Sequence, residues 1–189
     1  MKRIAWILLA LCLCWSSAAS AQRYGGGPPP PRPRYLYRDG LVFGVALGAG
    51  RAGWSCDQCP SYGGLAGEFH IGGMITPQLA LEGDFSTVIR SVGYDQFVSV
   101  DMGHFAAQFW PAPILWLKGG VGLGVLSFSD NYYGYSSSSN AGGSLLFGVG
   151  VEVLQTYNFA LDIQFRLTAT RFDNATINTV GLMIGANWY

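Results

Sequence analysis

Ionisable residues recur two positions apart within apolar segments of this 189-residue chain. Glu68 and His70 have this spacing, and so do Glu82 and Asp84. Because side chains at positions i and i+2 lie on the same face of a β-strand, such residues can gather on one face of a sheet. A gathered set could conduct protons or ions, or it could form a buried polar network. The residues that fit are Glu68, His70, Glu82, Asp84, Asp101, Lys118, Glu152, Asp162 and Arg166.

The charges of this set do not balance. It contains six acids, whereas Lys118 and Arg166 supply two cations. The remaining acids need water, a protonated His70 or a proton of their own. We expect a structural polar network, with a path for protons or ions as the alternative.

Cys56 and Cys59 form a Cys-x-x-Cys pair within a polar segment. In an oxidising compartment, a local disulfide is the expected state of such a pair. Redox activity would need a depressed thiolate pKa, and Arg51 is the one cation near the pair in sequence. A zinc site would need two further ligands, and the sequence has no second pair. We therefore expect a disulfide, no metal and no cofactor.

The first 21 residues predict a cleaved signal peptide, because Lys2 and Arg3 precede an apolar run that ends near a small-residue cleavage site, Ala19-Ser20-Ala21. The run of about a dozen residues is shorter than the roughly twenty that a membrane helix needs, and a retained anchor is the alternative. Without this segment, nine basic residues face eleven acidic ones, which argues against nucleic acid as a partner.

Residues 22–38 are rich in Gly, Pro and Arg. They predict an extended periplasmic linker, which is either a disordered leader or an arm that touches anionic lipid or cell wall. The domain that follows occupies residues 39–189.

From Leu41 onward, bulky apolar residues alternate with small or polar ones, which predicts β-strands. The strands are long, and short turns alternate with longer polar stretches at 51–62 and 127–140. Residues 41–189 accommodate about eight strands, and a closed barrel leaves no unpaired edge in lipid. The sequence therefore predicts an all-β fold, an eight-stranded antiparallel up-and-down transmembrane β-barrel, with a soluble sandwich as the alternative. The predicted turns are Thr76–Gln78, Pro111–Pro113 and Thr156–Asn158.

The fourth predicted strand, Gln96–Trp110, is less regular than the others. Val98, Val100 and Met102 suit an outer, lipid-facing side, but Phe105 falls out of phase with them. We expect a bulge or register change near Gly103.

Aromatic residues gather near the ends of the predicted strands, where a bilayer presents its head groups. The predicted membrane-interface set is Trp54, Trp110, Trp116, Tyr157, Trp188 and Tyr189.

The chain resembles the small outer-membrane β-barrels of the OmpA/OmpX type. The resemblance is carried by the Trp-Pro-x-Pro turn at Trp110–Pro113, by the Gly-rich strand at 117–124 and by the aromatic C-terminus. It implies an outer-membrane location, contact with outer-membrane lipids, and assembly by periplasmic chaperones and the barrel-insertion machinery. One departure is that Trp188, rather than the terminal Tyr189, shares the apolar alternation of the last strand.

This resemblance specifies the fold better than the activity. We expect a non-enzymatic barrel that contributes to envelope structure or presents loops, with a narrow porin-like pore as the alternative. A lipid A-modifying enzyme is a third hypothesis, but the His followed closely by Ser that lipid A deacylases carry is absent at His70 and His104. The Ser136–Ser139 run is expected in a surface loop, where it could contact an extracellular ligand.

Overall fold

The computed structural model describes residues 38–54, 61–93, 96–130, 135–173 and 175–189. The predicted signal peptide, linker residues 22–37, and Cys56 and Cys59 lie outside these ranges. No helix in the described part of the chain is long and apolar enough to cross a membrane, a finding that does not bear on strands. The strands are β1 (Leu41–Trp54), β2 (Ser61–Thr76), β3 (Leu79–Gly93), β4 (Gln96–Ala112), β5 (Leu115–Asp130), β6 (Tyr135–Ser138), β7 (Gly142–Gln155), β8 (Phe159–Arg171) and β9 (Thr176–Trp188).

Eight long strands form a closed antiparallel barrel. Each pairs with its neighbours in sequence, except that β5 pairs with β7 across the short β6. Pairing of β1 with β9 closes the barrel, so the backbone groups along each long strand find partners on both sides. The predicted eight-stranded barrel is confirmed.

The outer face of the barrel is apolar and the inner face is buried. Along β1, Leu47 is 65% exposed on the outer face, whereas Val42 is 1% exposed on the inner one. Large apolar side chains occupy exposed outer positions on all eight long strands. This arrangement inverts that of a soluble protein and matches a barrel that meets lipid.

Connections on one rim are short: residues 77–78, 113–114 and 156–158 join consecutive strands. On the other rim the strands run further than predicted. β1 and β2 extend to Trp54 and from Ser61 into the predicted first loop, and β5 and β6 form a hairpin within the predicted loop at 127–140. The turn predicted at Pro111–Pro113 lies later, because β4 continues to Ala112.

The register of β4 differs from the prediction. Its pairing with β3 and β5 runs without a break through Gly103, so the predicted bulge there is wrong. Val100 and Met102 point into the barrel with His104, and Phe105 points outward. The prediction failed because it took apolar residues to mark the outer face, whereas the interior near this rim is itself apolar.

Trp188 lies on the outer face at the seam where the barrel closes. Its ring stacks on Phe43 of β1 at 5.0 Å and lies 5.1 Å from Phe159 of β8. Tyr189 turns instead toward the interior, where its ring meets Trp110 edge-on at 5.8 Å. The last two residues thus point to opposite faces, with Trp188 on the outside of the barrel and Tyr189 on the inside.

Replacement of Trp188 by Ala should reduce barrel assembly more than deletion of Tyr189, because the Trp188 ring contacts both strands that flank β9, namely β1 and β8. The measurement is the fraction of protein that migrates as the folded form in heat-modifiability gels. Phe147→Ala, an outer aromatic away from the seam, is the matched control and should assemble normally. A larger loss from the Tyr189 deletion would contradict the assignment.

Candidate functional site in the barrel lumen

The centre of the lumen is organised around the ammonium group of Lys118. Its Nζ lies 3.0 Å from Glu68 Oε1, 2.6 Å from Glu82 Oε1 and 3.1 Å from Asp84 Oδ2. Lys118 is 2% exposed, so these charges are removed from water. A buried ammonium is tolerated because three carboxylates from β2 and β3 surround it.

Arg166 of β8 adds a second cation to the cluster. Its guanidinium donates two hydrogen bonds to Asp84, one of them at 3.0 Å, and its Nη1 lies 3.1 Å from Glu68 Oε2. Two-point contact of this kind fixes the orientation of both groups. His70 Nδ1 lies 3.1 Å from Glu68 Oε1, which links the histidine to the same network.

A metal ion does not fit this cluster well. Among the described residues, Glu68, His70 and Asp84 offer three ligand atoms within 4.8 Å of one another. However, the Lys118 ammonium already contacts both carboxylates, and Arg166 contacts them as well. The two cationic side chains satisfy the charge that would attract a metal.

Nearer the rim with short turns, Asp162 is held by neutral donors. Trp116 Nε1 and Asn187 Nδ2 each donate to its Oδ2 at 2.9 Å. The Trp116 ring lies against the backbone of Gly150, where any Cβ would collide with it. Glycine at 150 is therefore what lets an indole lie across this part of the lumen.

Arg38, the last residue of the predicted linker, enters the lumen at the same rim. Its Nη2 donates to Glu152 Oε2 at 2.6 Å and to the Pro113 carbonyl oxygen at 2.8 Å. The guanidinium lies 4.7 Å from the centre of the Trp110 ring and 5.5 Å from that of Tyr189. Arg38 follows a Pro-rich segment that predicts a linker, so its sequence context did not indicate this contact.

Glu152 receives three further hydrogen bonds at this rim, one of them from Gln155 Nε2 to its Oε2 at 2.6 Å. Trp110 Nε1 donates to its Oε1 at 2.8 Å, and the Tyr189 hydroxyl donates to the same oxygen at 3.0 Å. Burial, together with the neighbouring Glu152 carboxylate, raises the pKa of the Tyr189 phenol well above its usual range. The phenol therefore keeps its proton and remains a donor.

An apolar layer closes the lumen toward the other rim. Its members are small or medium side chains from five strands, covered by larger ones near the loops. The buried set is Ala46, Ala52, Ala66, Val88, Val100, Met102, Ile177 and Met183, with Trp54, Tyr62, Leu126 and Phe172 packed against it. The lumen thus contains an aromatic and arginine layer, an ionic layer and an apolar layer.

Between these layers, His104 of β4 meets Ser144 of β7 inside the barrel. His104 Nε2 lies 2.8 Å from Ser144 Oγ, which also accepts a hydrogen bond from Thr170 at 2.9 Å. His104 Nδ1 lies 4.0 Å from Asp84 Oδ1, so the order acid, base, hydroxyl resembles a hydrolytic triad. The last distance is too long for a hydrogen bond, and Asp84 is already engaged by Arg166. The arrangement therefore lacks the link that would orient the imidazole.

The structure places Asp101 outside the predicted luminal set. Glu68, His70, Glu82, Asp84, Lys118, Glu152, Asp162 and Arg166 are all buried inside the barrel. Asp101 points outward, because β4 keeps one register through Gly103, and its placement in the luminal set is wrong. Its carboxylate accepts hydrogen bonds from Thr87 Oγ1 at 2.6 Å and Ser99 Oγ at 2.8 Å.

The predicted membrane-interface aromatics divide into two groups. Tyr157 is exposed in a short turn, and Trp188 lies on the outer face. The prediction is wrong for the other four, Trp54, Trp110, Trp116 and Tyr189, which pack against the interior clusters. Proximity to a strand end does not distinguish the two faces, and large side chains also fill the ends of the lumen, as Trp116 does beside Gly150.

Lys118→Met should destabilise the barrel by about 3–5 kcal/mol, because it leaves buried carboxylates without their cation. The measurement is urea unfolding in lipid vesicles, followed by tryptophan fluorescence. Glu82→Gln should restore part of the loss, since Lys118 is the charged partner of Glu82. Gly119→Ala on the outer face of β5 is the control and should change little. Purely additive effects of the two luminal substitutions would contradict direct coupling.

Comparison with known proteins places this geometry among small membrane barrels. No protein-family model matches the chain, and no curated protein matches its sequence. The solved structure of Ail, the attachment invasion locus protein of Yersinia pestis, matches with a TM-score of 0.52 and 19% identity, covering 79% of this chain and 99% of that one.

Neisserial surface protein A, NspA, matches with a TM-score of 0.59 and 19% identity, covering 77% of this chain and 96% of that one. Identities at this level show a shared fold. The chain has the fold of the small outer-membrane β-barrels, and the predicted resemblance to the OmpA/OmpX type is confirmed for that fold.

Proposed function

We propose that this protein is a non-enzymatic outer-membrane barrel with a closed lumen, which supports surface loops and contributes to envelope structure. The observation that carries the proposal is the filling of the lumen by three successive layers. Arg38, Trp110 and Tyr189 occupy one end, the Lys118 network the middle, and the Val100 and Met102 cluster the other end. An interior of eight strands is just wide enough for side chains, so such layers leave no aqueous path.

The outer surface supports placement in a membrane. Apolar side chains such as Leu47, Val121 and Ile184 are exposed at about 60% around the barrel. Exposed apolar area of this extent is unfavourable in water and favourable in lipid. In outer-membrane barrels the short turns face the periplasm and the longer loops face outward, which puts the β5–β6 hairpin at the cell surface.

This hairpin is the part of the molecule best placed to meet another molecule. The residues of β6, from Tyr135 to Ser138, are all exposed and pair with the end of β5, past the residues of β5 that pair with β7. The rigid network below holds the strands from which the hairpin projects. The closed lumen therefore serves to support the exposed β5–β6 hairpin, and this role needs no channel through the barrel.

A narrow pore is the alternative function, and planar-bilayer recording separates the two. The wild-type protein should show no discrete openings, because all three layers block the lumen. Glu68→Ala and Arg166→Ala should also remain silent, since each leaves the apolar layer and the Arg38 layer intact. Discrete wild-type openings whose ion selectivity changes in either variant would establish the pore and overturn the proposal.

A lipid-modifying enzyme is the remaining hypothesis, and the His104–Ser144 contact makes it testable. Both side chains are 4% exposed, so a lipid ester cannot reach the hydroxyl without opening the barrel. Mass spectrometry should find the same lipid A acyl pattern in cells with the wild-type protein, with Ser144→Ala and without the protein. A pattern that depends on Ser144 would show enzymatic activity and contradict this part of the proposal.

A further inference from the structure

A groove of about 670 Å³ crosses the outer face of the barrel. One side follows a row of paired residues that includes Leu161, Val45 and Phe85, and the other follows Ile184, Leu47 and Gly67. Within each row, every residue is paired directly with the next one on the neighbouring strand. The groove therefore follows the direction of the interstrand hydrogen bonds. It reaches from β8 to β4, about five strand spacings or roughly 24 Å.

The groove also runs from one side of the membrane toward the other. Leu161 lies two residues from the short-turn end of β8, whereas Asp101 lies five residues from the loop end of β4. Since strands in such barrels tilt by about 35–45°, a path across them descends through the apolar band. Its length and slope suit an extended hydrocarbon chain that enters from the loop side.

Gly67 makes the groove possible near its upper end. It stands between Leu47 and Thr87 in the register, on the outer face. A Cβ at this position would meet only side-chain methyl groups, at 3.6 Å and 3.7 Å, so a larger residue would project into the groove without disturbing the backbone. The missing side chain at 67 therefore leaves room for a ligand and is not demanded by local packing.

The upper end of the groove is polar and accepts hydrogen bonds. Thr87 and Asp101 line it, and Ser99 lies beside them. Both hydroxyls already donate to the Asp101 carboxylate, so what the cluster offers a ligand is acceptor oxygens with a negative charge. These oxygens favour an N–H or O–H donor and would repel a phosphate placed against them, so a phosphorylated lipid fits only with its phosphates away from this end of the groove.

We propose that this groove binds an acyl chain of an amide-linked, hydroxylated glycolipid of the lipid A type. Such a lipid carries amide N–H and hydroxyl donors at the junction of its sugar and its chains, at the level where Asp101 lies. Asp101 accepts a hydrogen bond from that junction, and the chain descends past Gly67 along Leu47 and Val45. The proposal rests on an outer-membrane location but not on closure of the lumen.

The test is native mass spectrometry of the full-length protein in detergent, titrated with purified lipid A. One lipid A should remain bound to the wild-type barrel, and both Gly67→Leu and Asp101→Ala should weaken retention about tenfold. Gly119→Leu adds the same side chain to open outer surface on β5, and Asp173→Ala removes an exposed loop-side carboxylate; both should bind as wild type. Heat modifiability verifies that each variant is folded.

Several results would overturn the inference. Equal retention by wild type and Gly67→Leu would exclude the groove as the chain site, and equal retention by Asp101→Ala would exclude its polar end. Phosphatidylglycerol bound as tightly, with the same sensitivity to both variants, would show a general lipid surface. A dimer lost in Gly67→Leu would assign the groove to a second copy. Lipid binding with a conducting lumen would overturn only the proposed function, because the groove does not depend on closure.

Discussion

The ion cluster around Lys118 is the interaction on which the lumen depends. Three carboxylates from two adjacent strands would repel one another if they were brought together without a cation. Lys118 of β5 and Arg166 of β8 make their approach favourable and so connect parts of the wall that share no backbone hydrogen bonds. In a barrel of eight strands this cross-bracing acts together with the buried apolar clusters of the lumen, since most large apolar side chains face outward.

The layers above and below the cluster follow from the need to fill a narrow cylinder. Near the short turns, glycine at 150 leaves space that the Trp116 ring occupies. Near the loops, Val100 and Met102 fill the lumen with apolar side chains. The ionic layer is thus shielded from bulk water on both sides, which strengthens each of its interactions.

Much of the fold could be predicted from the alternation of bulky apolar residues with small or polar ones, because most strands have one face of each kind. The luminal position of pairs such as Glu68 and His70 follows from the same rule. The rule failed on β4, where apolar residues face inward and Asp101 faces outward, because alternation alone does not say which face is which. It also gave no sign of Arg38, whose contacts join residues distant in sequence and depend on the closed shape.

The contacts of Arg38 have a consequence for how the barrel is closed. They involve the turn after β4, Glu152 on β7 and the residue that follows β9, Tyr189. Arg38 itself lies just before β1, whose pairing with β9 closes the barrel. Its side chain therefore connects the start of the first strand to β7 and to the end of the last strand, and it adds a second link across the closure beside the backbone pairing of β1 with β9.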